Sequence, residues 1–381
     1  MDSGKKKVKW TSDNKTVATV DKKGVVTAMG EGIAVVNAKV GKKKFRFLIT
    51  VEPVFAFAEW NPGAQALETL TKYVEAVTDE GAEDFIPVRD RIAVFDMDGT
   101  LATELYPTYF VSYIYEWRVL KDTSFTPDEA MTALALEIRD CGLTNAYPAE
   151  MIQDFTLQFA RAFAGMTQEE FYNYATEILL KDADGFTGMT YKESFFRPMI
   201  EVVEYLQAND FTVYVCSGTD RALCRTMLDG NIDIPYAQVI GTDVVMEASG
   251  QQRTEGMAYE MTPEDQMIRT DQPMKRNEKM NKVSVIAEEI GRQPVLSFGN
   301  SSGDISMHVY MISNNPYKSA AFMLLADDDE RDYGNPEKAS ASRTKWEGYG
   351  FNVISMKNDF RTIYGDDVKT TGSFRWMEEF S

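Results

Sequence analysis

The stretch Arg91–Leu101, R-I-A-V-F-D-M-D-G-T-L, constrains the fold more than any other part of this 381-residue chain. Ile92 to Phe95 are four consecutive apolar residues. That is the pattern of a strand buried on both faces, which belongs to parallel sheets covered by helices. Asp96 follows at once, Asp98 comes two residues later, and Gly99 lets the backbone turn. Two carboxylates at the end of a buried strand cost free energy unless something compensates them. A hard cation, which takes oxygen ligands, is the natural partner. A hairpin is the other reading of this stretch, because Asp-Gly is also a strong turn signal.

Downstream of residue 196, helical and strand patterns alternate. Helices are expected at Met199–Asn209, Arg221–Leu228 and Val283–Ile290, and strands at Thr212–Cys216, Ala237–Ile240, Val295–Phe298, Ala321–Leu325 and Phe351–Met356. Residues 241–280 are polar with β-like pieces and read as a hairpin excursion. Such alternation predicts an α/β fold with a parallel sheet and right-handed crossovers. Sites in these folds lie at the carboxyl ends of the strands. An amphipathic helix, Ala64–Val77, precedes the first strand.

Between Thr103 and Phe196 the pattern is helical instead. Tyr106, Tyr109, Phe110, Tyr113 and Trp117 recur at helical spacing, Thr126-Pro127-Asp128-Glu129 reads as a helix start, and Met151–Phe163 and Thr167–Leu180 add further helices. The aromatic stripe reads as core; a cage for a quaternary amine is its other use.

The first 52 residues hold 12 Lys and Arg against 5 Asp and Glu, a charge of +7 that leaves −26 for the rest of a chain totalling −19. An acidic body argues against nucleic acid as a partner. Val8–Ser12, Val17–Val20, Val25–Met29, Ile33–Val40 and Phe45–Val51 are short β-prone runs separated by turn residues. No apolar run is long enough for a membrane span, and no secretory leader is read at the N-terminus.

The remaining reactive side chains narrow the chemistry. Three irregularly spaced cysteines give neither a disulfide framework nor a zinc pattern. The single histidine, His308, argues against a multi-His metal site and a Ser-His-Asp triad. A thiolate phosphatase loop needs Arg after five intervening residues, and from Cys216 that position is Ala222, with Arg221 one residue short. Cys216 therefore reads as a buried small hydrophobe. Ser217 and Gly218 end the strand V-Y-V-C, where a hydroxyl and backbone N–H groups can hold an oxyanion; an ordinary Ser-Gly turn is the alternative. Lys282 opens the helix K-V-S-V-I-A-E-E-I, with Lys275 and Lys279 as nearby competitors. Asn300 and Asp304 follow the strand at Val295–Phe298 in F-G-N-S-S-G-D.

Asp-x-Asp-Gly-Thr-Leu, Ser217, Lys282 and the Asn300–Asp304 loop, in that order, resemble the four motifs of the haloacid dehalogenase-like superfamily. W-N-P-G-A, F-I-P-V-R-D-R-I-A-V-F-D-M-D-G-T-L-A-T-E, F-G-N-S-S-G-D, L-L-A-D-D-D-E-R-D-Y and G-F-N-V-I-S-M-K-N-D-F resemble its phosphoserine phosphatase-like branch over roughly residues 59–366. In the N-terminal segment, Trp-x-Ser, Val-Ala-x-Val and Gly-x-Val/Ala resemble the bacterial Ig-like group 2 module, with that module's first strands missing.

These resemblances imply a partial Ig-like β domain over residues 1–52, a linker over 53–59, a Rossmann-like α/β core over 60–103 and 196–381, and a helical cap over 104–195 inserted after the first strand. They imply a phosphomonoester hydrolase acting on a small phosphorylated metabolite. Asp96 would be the nucleophile and Asp98 the acid and base, with Ser217, Gly218 and Lys282 on the phosphate. Mg2+ would lie on Asp96, the Asp98 main chain, Asn300 and, directly or through water, Asp304. Glu104, where the cap begins, is either a substrate contact or a hinge carboxylate. The rival reading is a surface-binding protein whose hydrolase domain is weakly active or inactive. Ig-like modules of this group imply a secreted or surface location in a bacterium, with cell-surface contact through the Ig-like segment; a cytoplasmic location is the alternative.

Overall fold

The computed structural model describes residues 7–51, 55–104, 109–142 and 148–375. The chain forms two compact units, Met1–Phe57 and Ala58–Ser381.

In the first unit the β-prone runs form strands β1 (Val8–Ser12), β2 (Ala18–Val20), β3 (Val26–Ala28), β4 (Gly32–Val40) and β5 (Lys43–Val51). Strands β1, β4 and β5 make an antiparallel sheet, and β2 pairs with β3 as a hairpin. Period-two alternation sets the buried face. Ala34, Val36 and Ala38 of β4 are buried, and Ala34 packs with Val17 and Ala18.

The second unit begins with Ala58 and Glu59, expected as linker, tied by their N–H groups to the Glu201 carboxylate. Residues 52–54 lie outside the described residues, as does Tyr106 of the aromatic stripe. Helix α1 (Gln65–Thr78) leads to strand β6 (Ile92–Phe95), whose four residues are all buried. Helices α2 (Phe110–Leu120), α3 (Glu129–Gly142), α4 (Ala149–Ala162) and α5 (Gln168–Leu179) then intervene before the short strand β7 (Phe186–Thr187). Thr167 and Glu170 form the capping box that starts α5. The aromatic stripe serves mainly as core: Phe110 and Tyr113 are buried against Tyr191, and Trp117 faces the Lys181 ammonium at 3.9 Å.

The alternation then resumes with α6 (Arg197–Ala208), β8 (Thr212–Asp220), α7 (Arg221–Leu228), β9 (Val239–Thr242), the antiparallel pair β10 (Val244–Ala248) and β11 (Met267–Pro273), and α8 (Met280–Glu289). It ends with β12 (Leu296–Gly299), α9 (Ile305–Ile312), β13 (Ala320–Leu325), α10 (Pro336–Gly348), β14 (Asn352–Ser355), α11 (Met356–Asp359) and β15 (Lys369–Thr370). The main sheet of the described residues is parallel throughout, in the order β14-β13-β12-β6-β8-β9. The excursion expected over 241–280 is therefore the β10–β11 ribbon. The strand expected to reach Met356 stops at Ser355, whose hydroxyl caps α11.

Both faces of the sheet are packed. On one face Phe95, Phe298 and Phe322 stack across three neighbouring strands, with ring centroids 4.2 and 5.1 Å apart. On the other, Val94, Cys216, Ile240, Ile286, Met307 and Met311 form a closed cluster. β6 is buried along its length, and Asp96 and Asp98 follow at its carboxyl end.

Candidate active site

Asp96 leaves β6 with its N–H donating to the Phe298 carbonyl of β12, 2.9 Å away, so the neighbouring strand fixes its backbone. The chain then turns back tightly: the N–H groups of Thr100, Leu101 and Ala102 all reach the Met97 carbonyl. Gly99 makes this possible at φ +76°, and a Cβ there would sit 1.9 Å from Asn300 Nδ2. A hairpin is therefore not what Asp-Gly encodes here; glycine is required by both the backbone and its neighbour.

Lys282, in the first turn of α8, points its ammonium between two carboxylates. It donates to Asp96 Oδ1 at 2.5 Å and to Asp304 Oδ1 at 2.7 Å, and all three side chains are buried. Burial alone would lower the lysine pKa, but Asp304 and Asp96 more than offset that and raise it. Burial, then Asp304, pushes the Asp96 carboxyl up while Lys282 pulls it back. Asp304 is also penalised by burial, yet Lys282 and the backbone donors hold it below the usual range.

Asp98 has a separate set of partners. Its Oδ2 accepts from Thr219 Oγ1 at 2.7 Å and from Ser217 Oγ at 3.3 Å, both at the carboxyl end of β8. Burial pushes the Asp98 carboxyl up despite these donors. Asn277 pins the strand end by donating to the Ser217 carbonyl at 2.9 Å. The Gly218 carbonyl accepts from Thr242 Oγ1 at 2.6 Å. Cys216 is fully buried and its thiol is pushed up by burial to about 11, which suits the apolar role expected of it.

Asn300 donates to Glu104 Oε1 at 2.7 Å, and Tyr109 donates to the same oxygen at 3.3 Å. Burial pushes Glu104 up. Asp96, Asp98, Glu104, Gly218, Lys282, Asn300 and Asp304 all line one cavity of about 280 Å³, whose other wall comes from α2, α3 and α4. Ser217, on β8, does not line the cavity and instead touches Asp98. Thr219 and Asn277 were not expected from the sequence; Thr219 lies in S-G-T, and only the β6–β8 pairing brings it to Asp98.

Two observations fit a divalent cation. Asn300 Oδ1 is buried and accepts no hydrogen bond. Among the described residues, Asp96 Oδ2 has only a 3.5 Å contact from Thr100. A carboxylate and an unpaired amide oxygen lining one cavity suit a hard ion that keeps several waters. Asp304, expected as a further ligand, has both oxygens engaged: Oδ1 on Lys282, and Oδ2 on the N–H groups of Asn300 and Ser301. In this arrangement it positions the lysine and the loop. Among the described residues, no three His, Cys, Asp or Glu side chains surround a common point for a metal.

His308 sits one turn beyond Asp304, fully buried, with Nδ1 2.7 Å from Ser297 Oγ. Burial holds its pKa down at about 4. The unfolded chain binds this proton below about 6.5, whereas the folded chain binds it only below about 4. The contribution is therefore present above pH 6.5 and lost as pH falls to 4, by about 3 kcal/mol. Urea unfolding of wild type and His308→Leu across this window checks it. The wild type should lose more stability on acidification than the variant, and parallel losses would contradict the assignment.

The fold and the grouping of reactive side chains at the carboxyl ends of β6, β8 and β12 define an α/β enzyme. Residues 93–308, more than half of the chain, match the family model for haloacid dehalogenase-like hydrolases, and the chain belongs to that family. Residues 1–50 match the model for the bacterial Ig-like domain (group 2). No curated protein matches the chain. Among solved structures, a conserved protein of unknown function from Anaerococcus prevotii is 12% identical, with 83% of this chain and 98% of that one covered and a TM-score of 0.49. Cytosolic 5'-nucleotidase IIIB bound to cytidine is 15% identical, with 82% and 88% covered and a TM-score of 0.45. A probable phosphoserine phosphatase from Vibrio cholerae is 10% identical, with 85% and 75% covered and a TM-score of 0.37. Likeness at this level does not extend to activity or substrate.

Proposed function

We propose that this chain is a magnesium-dependent phosphomonoesterase that works through an aspartyl-phosphate. The observation that carries the reading is the division of labour between two carboxylates two residues apart. Asp96 shares a buried lysine with Asp304, whereas Asp98 is held by two hydroxyls and kept prone to protonation by burial. Environments that separate two carboxyl groups in this way suit a nucleophile and an acid.

In this mechanism an Asp96 oxygen attacks phosphorus, the bond to the ester oxygen breaks, and Asp98 gives its proton to that oxygen. Asp98 then takes a proton from water, which attacks the phosphorus of the acyl phosphate and frees Asp96 and inorganic phosphate. Lys282 lies against the attacking carboxylate and balances charge on the phosphoryl oxygens. Ser217 and Thr219 orient Asp98. Asp96, the Asp98 main chain and Asn300 would hold Mg2+, which supplies positive charge beside the phosphoryl oxygens when bound. Helices α2–α5 serve as a cap that shields the reaction from water and contacts the leaving group.

Phosphate release from an aryl phosphate is the test. Release is expected with Mg2+ and should stop with excess chelator. A folded protein that releases none from a broad panel of phosphomonoesters would contradict the proposal.

A further inference from the structure

We infer that the alcohol leaving this site carries an apolar body, aryl or alkyl, and no carboxylate; the inference rests on the phosphatase reading above. The cavity is lined by Asp96, Asp98 and Lys282 and by a set of apolar side chains. Val111, Ile138, Met151, Phe155 and Phe159, from three helices, form that set together with Pro273 of the β11 strand. It is a firm surface. Phe159 packs against Phe163 at 4.8 Å, and Phe155 meets Tyr115 edge-on at 5.4 Å. Apolar surface buried there gains free energy in proportion to its area.

The charges around the cavity point the same way. Among the described lining residues, each acid other than Asp98 and Glu104 already faces a cation. Asp96 and Asp304 share Lys282, Asp220 pairs with Arg269 at 2.6 Å, Asp243 with Arg221 at 2.8 Å, and Glu278 with Arg276 at 2.9 Å. The two lining cations, Lys282 and Arg276, are thus both committed. Arg276 also donates to Thr156 at 3.2 Å, and its Nε is enclosed without an acceptor. A substrate carboxylate at this guanidinium would have to share it with Glu278, whose negative charge opposes a second anion there. Left unpaired, it would lie in a cavity lined by Asp98 and Glu104, an unfavourable place for a second anion. A phosphorylated amino acid therefore fits poorly, and a phosphorylated aryl or alkyl alcohol fits well.

The test compares kcat/KM for phenethyl phosphate, ethyl phosphate and O-phospho-L-serine with Mg2+ present. Phenethyl and ethyl alcohols leave with similar ease, so their ratio reports the pocket. Phenethyl phosphate is expected to exceed each of the others about 100-fold. Phe155→Ala, at a half-buried position, should cut the phenethyl-to-ethyl ratio about tenfold; if that variant does not fold, the wild-type ratios decide alone. Equal rates for the three, or a preference for phosphoserine, would overturn the inference while leaving the phosphatase reading standing. Release from none of them, nor from an aryl phosphate, would overturn both.

Discussion

Asp96→Asn is expected to lower kcat by about 10⁴-fold or more while leaving the fold intact. The amide is nearly the same size and cannot form the acyl phosphate. Lys282 keeps its second carboxylate partner, Asp304 at 2.7 Å, so the variant does not strand a buried ammonium. Thermal unfolding should shift by only a few degrees, and the kinetic loss should appear in kcat more than in KM. Full activity in a folded Asp96→Asn protein would contradict the assignment of this residue as nucleophile.

Lys282→Met should act on stability as well as on turnover. It leaves Asp96 and Asp304 buried beside one another without their shared cation. Breaking a buried pair by removing one partner costs about 3–5 kcal/mol. The two carboxyl pKa values in the variant then lie above their unfolded values. Stability is retained below the unfolded carboxylate range and lost as pH rises through the folded values, so the deficit should be larger at pH 8 than at pH 5. Urea unfolding with chelator present, which prevents a metal ion from replacing the lysine charge, measures this directly. A deficit below about 1 kcal/mol at pH 8 would mean that the lysine is not the counter-ion of both acids.

Much of this organisation was legible because it is local. Four apolar residues followed by Asp-x-Asp-Gly identify both β6 and the site at its end. The strand-helix alternation after residue 196 gives the parallel sheet, and turn residues separate the N-terminal strands. The features that escaped reading depend on contacts distant in sequence. Thr219 touches Asp98 only because β8 lies beside β6 in this register. Asn277 acts by reaching back to the Ser217 carbonyl from the loop before α8. The engagement of both Asp304 oxygens follows from how Lys282 and the Asn300 loop fold against it. Helix α10 has almost no apolar stripe, so its sequence offers no helical period; it packs through Ala339 and Trp346. The pairing of Asp220 with Arg269 and of Asp243 with Arg221 was likewise invisible, because those partners come from different elements.

The central claim is a covalent phosphoryl group on Asp96, and rapid acid quenching during turnover followed by mass analysis of peptides tests it most directly. The account predicts one added phosphoryl group on the peptide containing Asp96, labile to hydroxylamine and absent from Asp96→Asn. Phosphate release with no phosphorylated enzyme under conditions that trap acyl phosphates, or a phosphoryl group on a different residue, would contradict it.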